Sequence, residues 1–296
     1  DLMSEHDGRK VVVTTTIKGE RMLKDRARGV ADRLNVEFVP REGRPIRQIS
    51  SDMCDVLVAK LDRLALVTFD GLGDPCDELF FHPGMAVLRI SRLKDGEVDP
   101  MVEAMDLKPG YSVLDCTLGM AADAIVTSWT VGKRGKVVGL EASPILSEVV
   151  RYGLSHYRDV DVDVVEAFER IEVVNCNYED YLLRCCDESY DVVYMDPMFK
   201  APIKSSSSIN PIRRWACNKQ VDVNAFEEAK RVAGRSLVLK DSLDGNELER
   251  LRILSVYGRS SSSVEYGVLR RTDHREDKQR YEFFGGETDY GCQQFE

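Results

Sequence analysis

Asp115, Glu141, Asn177 and Asp196 stand at the ends of four short apolar runs, "YSVLDCT", "KVVGLEA", "IEVVNCN" and "YDVVYMDP". An apolar run closing on a polar group is the pattern of a buried strand leaving a sheet. Each end offers different chemistry. Asp115 leads into a turn with Gly119 and then a helix with Asp123 in its first turns. Backbone there can approach a ligand closely, and helix N–H groups stand free. Glu141 follows Asp115 by 26 residues, and a carboxylate at a second strand tip can accept both hydroxyls of a ribose. Asn177, with Glu179 and Asp180 beside it, offers polar groups to a purine ring; the two acids equally suit a helix's first turn. Pro197 lacks an N–H and turns the chain away from a sheet. Its carbonyl and the Asp196 carboxylate are two acceptors, which match the two donors of an exocyclic amine. Phe199 adds a ring face on which a flat base can stack, worth about 1–3 kcal/mol. Only one glycine lies between Asp115 and Asp123, too few for the GxGxxG cradle of a dinucleotide, which disfavours a nicotinamide dehydrogenase.

These ends need a scaffold that brings them to one edge. From residue 111 the pattern alternates: strand 111–117, helix 121–131, strand "GKVVGLEA", then helix "SPILSEVVRYGLSHY", with Ser143 as cap and Pro144 at its first position. Strand "IEVVNC", short helix "YEDYLLRCC", strand "YDVVYMDP", helix "VDVNAFEEAKRVA", strand "RSLVLKD", helix "GNELERLRIL" and strand "SSVEYGVLRR" follow. Alternation of this kind predicts an α/β fold, a mostly parallel sheet with helices on both faces and ligands beyond the strands' carboxyl ends. Upstream, "KVVVTTTI", "VEFVPR" and "ALVTFDG" read as strands, and "GERMLKDRARGVADRLNV" as a helix. "SSDMCDVLVAKLDRL" also reads as a helix, capped by Ser50 or Ser51, and "ELFFHPGMAVLRISRLKDG" as a strand turning at His82-Pro83-Gly84 into a helix. A boundary between Gly96 and Gly110 separates a smaller α/β N-terminal domain, residues 1–100, from the domain of residues 101–296.

The 296 residues are 43% apolar and 31% charged, an ordinary globular composition. No apolar run approaches the roughly 20 residues of a membrane span, and the polar first ten residues carry no signal-like segment, so a cytoplasmic location is expected. Eight cysteines without a CxxC pair and four histidines without ligand spacing predict no metal site and reduced thiols. The net charge of −10 is uneven, since residues 9–47 hold eleven Lys or Arg against five Asp or Glu. This basic segment is a candidate docking surface for a polyanion. A second basic stretch, "KAPIKSSSSINPIRRWACNK", places Lys204, Arg213 and Arg214 around Trp215. Phosphate contacts beside an aromatic stacker suit an RNA-facing loop.

The four sites, in this order, resemble class I S-adenosylmethionine (SAM) methyltransferases. "MDPMF" is similar to the Asp/Asn-Pro-Pro-aromatic motif of the amino-methylating members, with Met198 at the second proline. "DCTLGMAADA" with "VVYMDPMF" resembles the ribosomal small-subunit guanine-N2 methyltransferases, matching at Asp115, Thr117, Gly119, Asp123, Ala124, Asp196, Pro197, Met198 and Phe199. "FFHPGMAVLRI" is similar to a Gram-positive branch of SAM-dependent methyltransferases. The chain departs from the class in keeping only Gly119 of the usual glycine loop and in having Asn177 where many members have Asp. Its basic N-terminal segment departs from the narrower family.

The resemblance implies a Rossmann-like, mostly parallel seven-stranded sheet, SAM as donor and S-adenosylhomocysteine as product. It implies that Asp115, Thr117 and Gly119 hold the methionine moiety and Glu141 the ribose, with Asn177 or Asp180 at the adenine. Asp123 would reach the ribose or the amino group, or only favour its helix terminus. Asp196, Pro197 and Phe199 become the catalytic set, and the expected acceptor is a guanine amine in rRNA, bound by Lys204, Arg213, Arg214 and Trp215. A small-molecule or protein acceptor, or a non-catalytic SAM- and RNA-binding role, is the alternative. His82 reads as a structural turn residue, and Arg89 and Arg92 as candidates for the cleft.

Overall fold

The computed structural model describes residues 10–49, 54–70, 74–197, 220–258 and 263–271, and the structural statements below concern those residues. They form two compact units. One joins the residues up to Gly84 with Ser143–Glu169; the other comprises Met85–Ala142 and the described residues from Arg170 onward.

The first unit holds a five-stranded sheet in the order β2-β1-β3-β4-β5. Its strands are β1 (Lys10–Thr15), β2 (Glu37–Phe38), β3 (Cys54–Ala59), β4 (Leu64–Phe69) and β5 (Pro75–Phe80). β1 runs parallel to both β2 and β3, and β3, β4 and β5 pair antiparallel. Helix α1 (Glu20–Leu34) buries Leu23, Ala27, Val30, Ala31 and Leu34, one stripe at helical spacing, and ends at left-handed Asn35. Helices α5 (Pro144–His156) and α6 (Val162–Glu169) belong to this unit. Gly153 of α5 lies so close to Phe81 that a Cβ would come within 2.3 Å of it. The Phe81 ring in turn meets Tyr157 and Phe168 edge-on.

β3 corrects an expectation, because the stretch read as a helix is this strand. All six of its residues are buried, as befits a central strand covered on both faces. Such a strand shows no alternation, so periodicity cannot separate it from a buried helix. β-branched Val56 and Val58, and the tight turn closed by Lys60 N–H to Arg63 C=O at 2.9 Å, decide for the hairpin.

The second unit holds the seven-stranded sheet, ordered β11-β12-β10-β9-β6-β7-β8. Its strands are β6 (Ser112–Asp115), β7 (Lys136–Glu141), β8 (Ile171–Asn175), β9 (Tyr190–Met195), β10 (Ala233–Ser242), β11 (Val256–Tyr257) and β12 (Val264–Arg270). β8, β7, β6, β9 and β10 are parallel, and β12 and β11 are antiparallel additions. Helices α2 (Gly84–Lys94), α3 (Pro100–Met105), α4 (Ala122–Val131), α7 (Tyr178–Leu182), α8 (Val223–Val232) and α9 (Glu247–Arg250) accompany it. Leu114, Val193, Leu237, Leu239 and Phe226 are central to its core. α3 was not expected, although Asp99 caps it and Pro100 opens it. The chain steps outward from β6 through β7 to β8, then returns to β9 on the other side of β6. The carboxyl ends of β6 and β9 therefore flank a topological switch point, where such sheets bind ligands.

Among the described residues no helix is long and apolar enough to cross a membrane, and no cluster of His, Cys, Asp and Glu could hold a metal. Cys54, Cys76, Cys116, Cys176 and Cys185 are free thiols, whereas Cys186 is disulfide-bonded, against the expectation of fully reduced cysteines.

Candidate active site

Two backbone ties and one backbone-to-side-chain tie assemble the strand ends. Cys116 N–H bonds Tyr194 C=O at 2.9 Å, and Leu118 N–H bonds Leu140 C=O at 2.9 Å. Asp196 N–H donates to Thr117 Oγ1 at 2.6 Å, so the tips of β6 and β9 are pinned directly across the switch point. Thr117 N–H donates to the Asp115 carboxylate at 3.0 Å, and Gly119 N–H to Glu141 Oε2 at 3.2 Å. The loop after β6 thus closes onto β7 through the acid expected at the second tip. Gly119 has φ +50°, and a Cβ there would meet nothing nearer than Thr117 O at 3.9 Å, so its Cα faces open space. Gly139 is required for another reason: a Cβ on it would stand 2.5 Å from Leu118 Cδ1 and push the loop away. Cys176 N–H and Asn175 Nδ2 both donate to Glu141 C=O, at 3.2 and 2.7 Å, drawing the end of β8 alongside. Asn177 caps α7: its Oδ1 accepts from Glu179 N–H at 3.3 Å and its Nδ2 donates to Glu179 Oε2 at 3.0 Å. Asp180 is exposed in the same turn.

Behind the β9 tip lies a chain of charges. Lys240, on β10, donates to Asp196 Oδ2 at 2.7 Å and to Asp123 Oδ2 at 3.2 Å. Tyr194 OH donates to Asp123 Oδ2 at 2.7 Å. Arg89 of α2 pairs with Asp123 and grips Asp99 through Nε at 2.7 Å and Nη2 at 2.9 Å. Asp99 in turn caps α3, accepting from the N–H groups of Met101 and Val102. Burial opposes ionisation of Asp123, but the charges of Lys240 and Arg89 and the Tyr194 hydroxyl outweigh it and hold the carboxyl well below its usual range. Burial also opposes the Lys240 charge, and Asp123 and Asp196 overcome it, so its pKa lies above the ordinary lysine value. Asp196 goes the other way: burial and the charge of Asp123 raise it despite Lys240. Asp115 is pushed up to about 8 by burial, against the help of the Thr117 amide and reinforced by Asp123 and Asp196. Among the described residues it accepts only the Thr117 hydrogen bond. A buried acid beside Asp123 and Asp196, its raised pKa opposed only by the Thr117 amide and the Lys240 charge, is suited to receive a cationic ligand.

Seven of the residues singled out in the sequence, Asp115, Thr117, Gly119, Asp123, Glu141, Asp196 and Pro197, therefore lie at the carboxyl edge of adjacent strands, with Asn177 and Asp180 next to Glu141. Asp123 is locked among Arg89, Lys240 and Tyr194 rather than merely exposed at a helix start. Arg89 enters this network and Arg92 is exposed on α2. His82 accepts from Gly84 N–H at 3.2 Å and holds the turn before α2. Met198, Phe199, Lys204, Arg213, Arg214 and Trp215 lie outside the described residues. Sequence reasoning missed Lys240, Tyr194 and Asp99. For Lys240 a signal existed, a lone lysine closing the apolar strand "SLVLK".

A parallel sheet extended at one edge by the antiparallel strand β12 and its partner β11, with acidic tips at the switch point, defines an α/β methyltransferase fold. The sequence profile of the family described as "Putative SAM-dependent methyltransferase" matches residues 56–240, and the chain belongs to this family of SAM-dependent methyltransferases. YpiP of Bacillus subtilis strain 168 is 34% identical over 259 residues, covering 87% of this chain and 98% of YpiP. Ribosomal RNA small subunit methyltransferase J of Cellvibrio japonicus is 32% identical over 127 residues, 40% of this chain and 47% of that protein. Its counterpart from Desulfotalea psychrophila is 30% identical over 148 residues, 48% and 54% of the two chains. The match spans about half the length of those two proteins. The crystal structure of a SAM-dependent methyltransferase from Neisseria gonorrhoeae superposes with a TM-score of 0.61 at 16% identity, over 88% of this chain and 95% of that one, which supports the fold. The protein is thus an enzyme that uses SAM, and the open Gly119 loop with buried Asp115 and Glu141 suits that ligand.

Proposed function

We propose that this methyltransferase modifies an exocyclic amine of an RNA base, with N2 of a guanine in rRNA as the acceptor. The observation that carries the reading is the state of Asp196. Its N–H is fixed by Thr117 and its Oδ2 by Lys240, while Oδ1 takes no hydrogen bond from the described residues. One lone-pair-bearing oxygen is thus held at the switch point, and the carbonyl of Pro197, the next residue, supplies a second acceptor. These two acceptors match the two N–H donors of an aryl amine. The names of the rRNA methyltransferases matched over about half their length support the choice of RNA.

SAM supplies an electrophilic methyl group on a sulfonium. The protein's task is then placement, for which well-aligned intramolecular reactions gain roughly 7–11 kcal/mol. Asp196 and the Pro197 carbonyl orient the amine and favour positive charge developing on its nitrogen. Burial favours the neutral form of Asp196; Lys240 opposes it by favouring the carboxylate, and its hydrogen bond to Oδ2 fixes which oxygen faces the acceptor. Asp196 need not take the proton permanently, because the methylated nitrogen is acidic and releases it to solvent. On the cofactor side, Asp115, Thr117 and Gly119 hold the methionine moiety, with ionised Asp115 beside a positive group, and Glu141 binds the ribose. Asn177 and Asp180 border the adenine, Asn177 chiefly by shaping the start of α7. Phe199 stacks on the base, and Lys204, Arg213, Arg214 and Trp215 contact RNA. Residues 1–100 serve as the substrate-docking part of the chain.

Incubating the enzyme with isotope-labelled SAM and RNA from cells lacking it, followed by nucleoside mass analysis, tests the proposal. Label in N2-methylguanosine is the expected result. Label in adenosine or uridine derivatives overturns the guanine assignment, and an unlabelled RNA pool overturns RNA as substrate.

A further inference from the structure

In the first unit, Arg41 is a buried cation that forms no ion pair with the described residues. The residue is 8% exposed, and burial, opposed by Glu20 and aided by Arg44, draws its pKa below the ordinary arginine value. Its side chain makes one hydrogen bond, from Nε to Arg44 C=O at 2.6 Å. No carboxylate of the described residues forms an ion pair with it, and the donors of its two terminal nitrogens have no hydrogen-bond partner among the described residues.

The acid best placed to neutralise it is committed elsewhere. Glu20, in the first turn of α1, accepts from Arg41 N–H at 2.8 Å and from Glu42 N–H at 3.1 and 3.2 Å. It holds the backbone of a tight turn in which Glu42 and Gly43 have φ +48° and +73°. Arg44 N–H closes that turn on Arg41 C=O at 2.9 Å. The Arg44 side chain wraps the same turn, with Nη2 on Pro40 C=O at 2.6 Å. Its carboxylate neighbour, Glu42, is exposed and 3.7 Å away. Two guanidinium groups are therefore held side by side by main-chain contacts.

Their place in the fold is that of a ligand site. The turn follows β2, and the loop from β1 into α1 leaves the same edge, the carboxyl end of the parallel strands β2, β1 and β3. Exposed Lys18 lies on that loop, exposed Arg21 in the first turn of α1 and exposed Arg47 shortly after the turn. The Arg41 fork, buried and held rigid with its terminal donors unpartnered among the described residues, stands beside Arg44, whose carboxylate neighbour Glu42 is 3.7 Å away and exposed, and such a fork matches a tetrahedral oxyanion.

We propose that Arg41 and Arg44 form a phosphate-binding site that docks the sugar–phosphate backbone of the RNA substrate. The RNA half of the proposal rests on the function proposed above; the anion half stands on the geometry of this turn alone. An arginine retained only to hold the turn differs in one measurable way. Removing a buried, unpaired charge should not destabilise the protein, whereas removing a structural arginine should.

The test uses the full chain, Arg41→Met and Arg44→Met, with Arg41→Lys as the charge-preserving control. Affinity for a mixed-sequence single-stranded RNA oligonucleotide is measured across a salt series. Melting is compared in inorganic phosphate and in chloride of equal ionic strength. The expected result is a fall in RNA affinity of about 5- to 10-fold for each Met variant, with the slope of log K against log salt reduced by about 0.7 per arginine. Arg41→Lys keeps the slope. Phosphate should raise the wild-type Tm by mass action and leave Arg41→Met unmoved, with SAM affinity unchanged throughout. A melting point of Arg41→Met several degrees below wild type in chloride, with RNA affinity unaltered in Arg44→Met, overturns the site. If the wild type binds no RNA, the RNA reading fails; a phosphate effect lost in Arg41→Met then still supports the anion site, and the absence of any phosphate effect ends it.

Discussion

Replacing Lys240 with methionine keeps its aliphatic stem and removes one charge from between two carboxylates. Nζ lies 2.7 Å from Asp196 and 3.2 Å from Asp123, and the three side chains are 17%, 25% and 14% exposed. At an effective dielectric constant of about 20 the gross attractions are about 6 and 5 kcal/mol. Desolvation of three ions offsets much of this, and truncating one partner of a buried pair costs about 3–5 kcal/mol net. What remains is Asp115, Asp123 and Asp196 together, with only Arg89, which also serves Asp99. Burial is the main force raising Asp196, and Lys240 is the largest force opposing it. Without Lys240 its pKa climbs further. A carboxyl whose folded pKa exceeds its unfolded value binds more protons when folded, so stability falls as pH rises from about 4 through the folded pKa. The penalty of Lys240→Met should therefore be small near pH 5 and approach about 3–5 kcal/mol by pH 8. Urea unfolding of both proteins at pH 5, 6, 7 and 8 measures it. A penalty below about 1 kcal/mol and flat with pH is what exposed pairs give, and would refute the network.

Three further outcomes are expected. Asp115, pushed up to about 8, is roughly 90% protonated at pH 7. Binding of cationic SAM should therefore release about 0.9 proton at pH 7 and about 0.1 at pH 9, read by calorimetry in buffers of different ionisation enthalpy; heats independent of buffer contradict it. Gly139→Ala forces a methyl to within 2.5 Å of Leu118 Cδ1, which should cost about 1–3 kcal/mol and weaken SAM binding by displacing the Gly119 loop. A normal melt with normal affinity contradicts the loop's dependence on β7. Asp99→Ala removes the α3 cap and half of the Arg89 clamp, so a loss of roughly 3–5 kcal/mol is expected; Asp99→Asn, which can still cap, should recover about 1 kcal/mol of it in the same denaturant assay.

The second unit was legible because its strands end in polar groups. Asp115, Glu141 and Asp196 each close an apolar run, and parallel strands separated by helices deliver such ends to one edge. β3 was not legible, since a strand buried on both faces carries no alternation. The charge network was hidden for a different reason. Lys240 meets Asp123 across 117 positions, and Arg89 reaches the same carboxylate from a helix preceding the sheet. The register of β9 and β10 sets Lys240 beside the Asp196 tip, and helices α4 and α2 bring Asp123 and Arg89 to it only in the fold. Asn177 shows the limit of residue type as a guide, because an amide suited to a purine edge is equally suited to an N-cap. The Arg41 turn was visible only as part of a basic stretch; its burial without an ion pair among the described residues shows only in the fold.

The central claim is that Asp196 positions the acceptor amine and leaves the cofactor's own contacts to β6, β7 and β8. Measuring SAM affinity and methyl transfer in parallel for the wild type and Asp196→Ala tests it most directly. SAM affinity within about twofold of wild type and transfer reduced by at least about 100-fold, the loss of one preorganised electrostatic group, is the predicted result. Transfer near the wild-type rate, or a parallel collapse of SAM affinity, would contradict the claim.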